Sequence, residues 1–85
     1  MIHVVYGENC PYCSMAKQLL ENEWIQYTGI DVTSDREKRI ELSQIAGMMT
    51  IPMIFHWDIK KENLIGGYTE LQQLQQEWKL TQFIS

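Results

Sequence analysis

The stretch that decides the fold is Ile2-His3-Val4-Val5-Tyr6-Gly7-Glu8-Asn9-Cys10-Pro11-Tyr12-Cys13, near the start of a chain of 85 residues. Residues 2–6 are mostly β-branched or aromatic, so they predict a strand that ends at Gly7. Pro11 suits the first position of a helix, because the N–H group that it lacks has no helical partner there. Core-facing residues follow at helical spacing: Met15, Ala16, Leu19 and Leu20. We therefore predict a helix over residues 11 to about 23, with Cys10 at its N-terminus.

A second strand and a second helix follow in the sequence. Residues 25–32 predict a strand. Ser34 and Glu37 have the spacing of a capping box, which predicts the start of a helix, and Gly47 is a natural residue just past a helix end. The residues of this helix that we expect to face the core are Ile40, Ile45 and Ala46.

The second half of the chain predicts a hairpin and a third helix. Residues 51–57 predict a strand, residues 58–63 a turn, and residues 64–65 a short returning strand. Thr69 and Gln72 have the spacing of another capping box, which predicts a helix start near Thr69. The stripe of this helix that we expect to be buried consists of Leu71, Leu74 and Trp78.

The resulting order of elements, β-α-β-α-β-β-α, indicates an α/β domain. A right-handed crossover through the first helix would make the first two strands parallel. The later hairpin would add antiparallel strands to the same sheet. We therefore expect a four-stranded mixed sheet with helices on both faces, in a single domain over residues 1–85.

Composition and charge exclude several kinds of partner. The net charge is −4 and the basic residues are scattered, apart from short groups at residues 36–39 and 60–61. We do not expect nucleic acid, because its binding needs a continuous basic surface. We also expect no membrane segment and no signal peptide, since the apolar runs are too short. In the cytoplasmic protein that this suggests, two close cysteines are more often catalytic or metal-binding than structural.

The pair Cys10 and Cys13 carries the chemistry. This spacing at a helix start brings two sulfurs within bonding reach, and the helix terminus favours the thiolate that attacks a disulfide. We expect Cys10 to attack and the more buried Cys13 to resolve the mixed disulfide. A Cys-x-x-Cys motif between a strand and a helix is typical of thioredoxin-like redox proteins. The alternative, a zinc site, lacks a second pair of ligands and would need both His3 and His56.

Three motifs resemble those of the glutaredoxins, in that family's order and over nearly the whole chain. Cys10-Pro11-Tyr12-Cys13 is similar to the dithiol active site of the family. Thr50-Ile51-Pro52 resembles the loop in which the proline is cis. Gly66-Gly67-Tyr68-Thr69-Glu70 resembles the turn and helix start that hold glutathione. The resemblance implies the thioredoxin-like fold for this α/β domain.

The resemblance also implies a function and its site. Cys10 and Cys13 would be the catalytic residues of a glutathione-dependent thiol–disulfide oxidoreductase that reduces protein disulfides and glutathione mixed disulfides. Glutathione would be a reducing co-substrate, with no tightly bound cofactor and no metal. We expect a monomer that acts on disulfide-containing client proteins, with ribonucleotide reductase as a client that the resemblance suggests for small dithiol members. The residues implied to bind glutathione are Tyr12, Ile51, Pro52, Tyr68, Thr69 and Glu70.

One departure from the family pattern leaves alternatives open. Glutaredoxins usually carry Lys or Arg just before the active site, where this chain has Gly7-Glu8-Asn9. An exposed charge at Glu8 would weaken the binding of a glutathione carboxylate by roughly 0.5–1 kcal/mol, unless Lys17 or Lys38 compensates. The alternatives are a glutaredoxin-like redoxin that thioredoxin reductase reduces, an iron–sulfur cluster carrier, and a binding module that uses an exposed tryptophan.

Overall fold

The computed structural model describes residues 1–77, and its elements follow the predicted order. The strands are β1 (Ile2–Tyr6), β2 (Tyr27–Asp31), β3 (Met53–His56) and β4 (Leu64–Gly66). The helices are α1 (Pro11–Asn22), α2 (Arg36–Ala46) and α3 (Tyr68–Gln76), and a 3-10 turn at Lys61–Asn63 separates β3 from β4. Trp78, which we expected in the buried stripe of α3, lies outside the described residues. None of the described helices is long and apolar enough to cross a membrane.

The four strands form one mixed sheet in the order β2-β1-β3-β4. β1 and β2 are parallel, with Ile2 opposite Tyr27, and α1 forms the crossover between them. β3 is antiparallel to β1, and β4 is antiparallel to β3. The end of β1, the start of β3 and the end of β4 therefore meet at one edge of the sheet, where α1 and α3 also begin. This arrangement confirms the predicted fold class.

The core has two parts, one on each face of the sheet, because successive residues of a strand point to opposite faces. α1 and α3 cover the first face, where the buried residues are Ile2, Val4, Ala16, Leu19, Leu20, Ile25, Ile54 and Leu71. α2 covers the second face, where the buried residues are Val5, Val32, Leu42, Ala46, Met53 and Phe55. Helices thus lie on both faces, as predicted.

Both predicted capping boxes were wrong. Asp35, and not Ser34, precedes α2, and its carboxylate accepts a hydrogen bond from the N–H three residues later at 3.0 Å. Aspartate caps a helix as well as serine does. Gly67 precedes α3, and the carboxylate of Glu70 accepts the Gly67 N–H at 2.8 Å. Thr69 therefore lies inside the helix that we expected it to cap.

Two apolar residues expected in the core are at the surface instead. Met15 is 44% exposed and Ile40 is 47% exposed. A helix buries a stripe of limited width, and in α2 Leu42 and Ala46 occupy that stripe. The predicted end of α2 is confirmed, since Gly47 follows it in the left-handed conformation with φ 72°.

β3 is shorter than predicted at both ends, for reasons that lie in the backbone. Pro52 has no N–H to donate to a neighbouring strand. Trp57 has a φ of 61°, which takes the chain out of the extended conformation. β3 is therefore limited to the four residues between them.

Candidate active site

Cys10 and Cys13 lie at the start of α1, at the sheet edge where β1 ends. Cys10 precedes the helix with an extended backbone, and its sulfur accepts a hydrogen bond from the Cys13 N–H at 3.2 Å. The two Cα atoms are 5.2 Å apart, and the sulfurs are joined in a disulfide. Cys13 is only 2% exposed, whereas Cys10 is partly buried. A reactant from solvent therefore reaches the sulfur of Cys10 more easily.

The start of α1 stabilises negative charge on the sulfur of Cys10. The N–H groups of a first helical turn have no acceptor within the helix, and the aligned peptide dipoles place partial positive charge there. One of these groups, the Cys13 N–H, already points at the Cys10 sulfur. This hydrogen bond and the position at the helix start favour the thiolate form of Cys10 when the disulfide opens.

The loop before β3 brings backbone groups next to the same sulfur. The Ile51–Pro52 peptide bond is cis, and the carbonyl oxygen of Ile51 lies 3.8 Å from Cys10 Sγ. Gly7 leaves room for this loop, because a Cβ at Gly7 would lie 3.0 Å from Ile51 Cδ1. A peptide bonded to Cys10 would therefore run beside the backbone of Ile51.

A groove of about 390 Å³, which we call the Tyr12 groove, lies beside Ile51. Its lining includes all six residues that the resemblance implied, which are Tyr12, Ile51, Pro52, Tyr68, Thr69 and Glu70. Sequence reasoning missed three further lining residues, which are Met48, Thr50 and Gly67. Thr50 and Gly67 stand within the quoted motifs, but Met48 carries no signal in the sequence, because its position depends on the path of the chain after α2.

Two tyrosines form an aromatic wall of the Tyr12 groove. The ring centroids of Tyr12 and Tyr68 are 6.1 Å apart and the rings are inclined by 36°, within the usual range of aromatic pairs. Tyr12 is 59% exposed. The pair thus gives the Tyr12 groove an apolar surface.

The start of α3 supplies a further part of the groove. The first helical hydrogen bond of α3 runs from the Leu71 N–H to the Gly67 carbonyl, so the three preceding N–H groups have no acceptor inside the helix. The Glu70 carboxylate accepts the Gly67 N–H at 2.8 Å. Gly66 has a φ of 126°, and a Cβ there would lie 2.5 Å from Glu70 Oε1. Gly66 is therefore required for Glu70 to close the turn in this way.

The charges around the Tyr12 groove are few. Glu70 is the only charged residue among the described residues that line it. The N–H of Glu8 donates to Thr33 Oγ1 at 2.8 Å, and the Glu8 side chain is exposed. The Lys17 ammonium lies 3.3 Å from the centroid of the Tyr6 ring. Neither Lys17 nor Lys38, which were the candidates to compensate for Glu8, lines the groove.

The two histidines lie away from the cysteines. His3 Nε2 is 2.7 Å from the carbonyl oxygen of Trp57, and the His56 ring packs edge-on against Trp57 at 4.7 Å. Because His3 pairs with Phe55 and His56 pairs with Ile2, their side chains point to opposite faces of the sheet. Burial, and to a smaller extent the N-terminal charge, lowers the pKa of His56. Within residues 1–77, no three His, Cys, Asp or Glu side chains are placed to hold a metal ion.

The sequence model of the glutaredoxin family matches residues 2–61. The chain belongs to the glutaredoxin family. It is 39% identical over 72 residues to a glutaredoxin of Neisseria meningitidis, and the match covers 84% of this chain and 80% of that relative. The chain is therefore a thiol–disulfide oxidoreductase, as other glutaredoxins are.

Solved structures agree with this assignment. A dithiolic glutaredoxin of Trypanosoma brucei brucei is 33% identical with a TM-score of 0.79, and the match covers 99% of this chain and 86% of that chain. A buckwheat glutaredoxin in complex with glutathione has a TM-score of 0.82 at 23% identity, covering 98% of this chain and 74% of that chain. The second comparison shows a shared fold.

Proposed function

We propose that this glutaredoxin uses glutathione to reduce protein disulfides and glutathione mixed disulfides, with Cys10 as the attacking thiol and Cys13 as the resolving thiol. The observation that carries the proposal is the Tyr12 groove, in which three distant segments line one cavity beside the Cys10 sulfur. The complex of the buckwheat glutaredoxin with glutathione supports the choice of ligand. The difference in exposure between the two cysteines supports the division of roles.

The first half of the reaction transfers two electrons to the client. The Cys10 thiolate attacks one sulfur of the client disulfide, and the client S–S bond breaks as the Cys10–client bond forms. The released client thiolate takes up a proton. Cys13 then loses its proton and attacks the Cys10 sulfur, which frees the second client thiol and forms the Cys10–Cys13 disulfide.

The second half returns the enzyme to its dithiol form. A glutathione thiolate attacks the more accessible Cys10 sulfur, so that Cys13 leaves as a thiolate and takes up a proton. A second glutathione attacks the glutathione sulfur of the mixed disulfide. Glutathione disulfide leaves, and Cys10 is released as a thiolate at the start of α1. Two glutathione molecules thus supply the two electrons that the client received.

The cysteinyl and γ-glutamyl parts of glutathione would each find complementary groups in the Tyr12 groove. Its cysteinyl unit would pair with the N–H and carbonyl of Ile51 as a short β-strand does. Its γ-glutamyl carboxylate would accept hydrogen bonds from the N–H groups at the start of α3 that have no acceptor inside the helix. Its ammonium group would meet the Glu70 carboxylate, which also holds the Gly67 N–H. Tyr12 would pack beside the mixed disulfide.

The proposal also includes the cellular compartment, the oligomeric state and the partners. We expect a cytoplasmic monomer with glutathione as co-substrate and disulfide-containing proteins as clients, ribonucleotide reductase among them. Glutathione in that compartment is kept reduced, which provides the driving force for the second half of the reaction. Sequence-independent binding of nucleic acid is not part of this role, given the net charge of −4.

The test measures NADPH consumption with a glutathione mixed disulfide as substrate and two separate electron supplies. We expect turnover with glutathione and glutathione reductase, and loss of that turnover in Cys10→Ser. We expect Cys13→Ser to keep turnover on the mixed disulfide and to lose it on a protein disulfide, because only the latter needs a resolving thiol. Turnover with thioredoxin reductase alone, and none with glutathione, would contradict the proposal.

A further inference from the structure

A second and larger groove, of about 870 Å³, runs along α2 and is not used by the reaction described above. We call it the α2 groove. Its apolar part is formed by Val32, Ile40, Met48 and Met49. Its polar part is formed by Thr33, Ser34, Arg36, Arg39, Ser43 and Gln44. A cavity of this volume accommodates several residues of an extended peptide.

The α2 groove is open because α2 buries only one of its faces. Arg39 and Ile40 follow Arg36 at intervals of three and four residues, so the three lie on one side of the helix. Leu42 lies on the other side, in the core. Ile40 is 47% exposed and Met49 is 79% exposed. The groove therefore presents apolar side chains to solvent next to charged ones.

The charge of the α2 groove is opposite to that of the chain. Arg36 and Arg39 line it, and among residues 1–77 no acidic side chain does. The chain as a whole carries a net charge of −4. Arginine presents a planar fork of donors that matches a carboxylate. The complementary ligand therefore carries carboxylates and an apolar side chain.

The α2 groove lies next to the catalytic site. Met48 lines both the α2 groove and the Tyr12 groove. The carbonyl oxygen of Ile51, three residues further along, lies 3.8 Å from Cys10 Sγ. On its other side, Thr33 of the α2 groove accepts the N–H of Glu8 at 2.8 Å, in the loop that leads to Cys10. A chain bonded to Cys10 can thus continue past Met48 into the α2 groove.

We propose that the α2 groove binds the segment of a client protein that flanks its reactive cysteine, and that this segment carries acidic side chains for Arg36 and Arg39 beside an apolar one for Ile40. This inference rests on the proposed reduction of protein disulfides. It adds a basis for choosing among clients, because the side chains of the α2 groove distinguish one client sequence from another, whereas glutathione is the ligand proposed for the Tyr12 groove.

The test compares two peptides that each contain one internal disulfide, flanked by Asp-Leu in one and by Lys-Leu in the other. The variant Arg36→Gln/Arg39→Gln removes the charge of the groove, and Lys38→Gln/Lys60→Gln removes the same charge from residues that do not line it. We expect kcat/KM for the acidic peptide to fall about tenfold in the first variant and less than twofold in the second. The basic peptide and the mixed disulfide of glutathione with 2-mercaptoethanol should change less than twofold in both.

Two outcomes would overturn the inference. An equal fall for both peptides and for the small mixed disulfide would mean that the arginines serve glutathione or the chemistry itself. No fall for any substrate would mean that clients do not use the groove.

A direct binding measurement tests this inference independently of the reaction on which it rests. The acidic peptide, with both cysteines replaced by serine and with a fluorescent label, should bind the reduced protein by anisotropy, and Arg36→Gln/Arg39→Gln should weaken it about tenfold. If glutathione fails to support turnover but this binding persists, the proposed function fails and the groove assignment stands. If the peptide does not bind the native protein, the groove assignment fails. Ile40→Ser tests the apolar contact, with an expected threefold or greater loss of binding.

Discussion

The Tyr12 groove and the α2 groove share Met48 but differ in what they offer a ligand. The Tyr12 groove, of about 390 Å³, has two tyrosine rings, open backbone groups and one charged side chain, Glu70. The α2 groove, of about 870 Å³, has two arginines and exposed apolar side chains. Backbone groups recognise what every peptide disulfide has in common, whereas side chains distinguish one sequence from another. Substitutions that shift the backbone should therefore weaken ligand binding in the Tyr12 groove. Substitutions that change only a side chain should weaken ligand binding in the α2 groove.

The largest expected effect separates the two faces of α2. Leu42→Ala removes a side chain that is 3% exposed, and we expect the free energy of unfolding to fall by about 2–5 kcal/mol. Ile40→Ala, on the face that lines the α2 groove, should change it by less than about 0.5 kcal/mol. Urea unfolding of both variants measures the difference. Similar losses in the two variants would mean that Ile40 is packed and that the groove is partly closed.

The next effect tests how far the Tyr12 groove depends on its backbone. Gly66→Ala places a Cβ 2.5 Å from Glu70 Oε1, at a φ of 126°. We expect a loss of about 1–3 kcal/mol in stability and a higher KM for glutathione, because the turn before α3 must shift. Thr69→Ala, an exposed side chain of the same groove, serves as the control and should leave stability nearly unchanged. Equal stability of Gly66→Ala and the parent protein would show that Glu70 moves aside without cost.

The features that the sequence could predict are those that depend on residues close together in the chain. The strands, the helix start at Pro11 and the helix end at Gly47 follow from local rules, since each depends on a few neighbouring residues. The order of elements and the known handedness of the crossover then give the sheet. The three motifs of the family located the lining of the Tyr12 groove, because each motif is contiguous in sequence.

The α2 groove could not be predicted in this way. Ile40 has the spacing of a core residue. Only the structure shows that α2 turns Leu42 towards the second face of the sheet and leaves Ile40 at the surface. The start of α2 also depends on a choice between adjacent capping residues, Ser34 and Asp35, which the sequence alone leaves nearly equal. The place of Met48 between the two grooves depends on the loop from α2 to β3, for which no local rule exists.

A smaller effect tests the charge at the mouth of the site. Glu8→Lys replaces an exposed acidic side chain two residues before Cys10. We expect kcat/KM for glutathione mixed disulfides to rise about two- to fivefold at low salt, because an exposed charge contributes modestly, and the gain to shrink as salt is added. Glu62→Lys makes the same change of charge at a residue that lines neither groove. A gain of the same size in Glu62→Lys would mean that only the net charge matters.

The smallest effect concerns the residue that joins the α2 groove to the catalytic loop. Thr33 Oγ1 accepts a hydrogen bond from the Glu8 N–H at 2.8 Å. The Thr33 N–H donates a hydrogen bond to Asp31 Oδ1 at 2.9 Å. Hydrogen bonds from the Thr33 hydroxyl and N–H, with a smaller contribution from the charge of Lys17, hold the pKa of Asp31 below its ordinary value of 3.8. The ionised Asp31 carboxylate therefore stabilises the fold at pH values above the ordinary value, and this contribution is lost as the pH falls through the lowered pKa.

Thr33→Val keeps the backbone hydrogen bond and removes the hydroxyl, so we expect the pKa of Asp31 to rise towards its ordinary value. NMR titration of the Asp31 carboxyl carbon measures the shift directly, and urea midpoints below pH 4 should then depend on pH less steeply than in the parent protein. An unchanged pKa would mean that the backbone bond alone holds Asp31. If the pKa rises and kcat/KM also falls for the acidic peptide, while the small mixed disulfide is unaffected, the Thr33 hydroxyl supports the α2 groove and not the Tyr12 groove. The two grooves would then be separable by a single hydroxyl, although they share Met48.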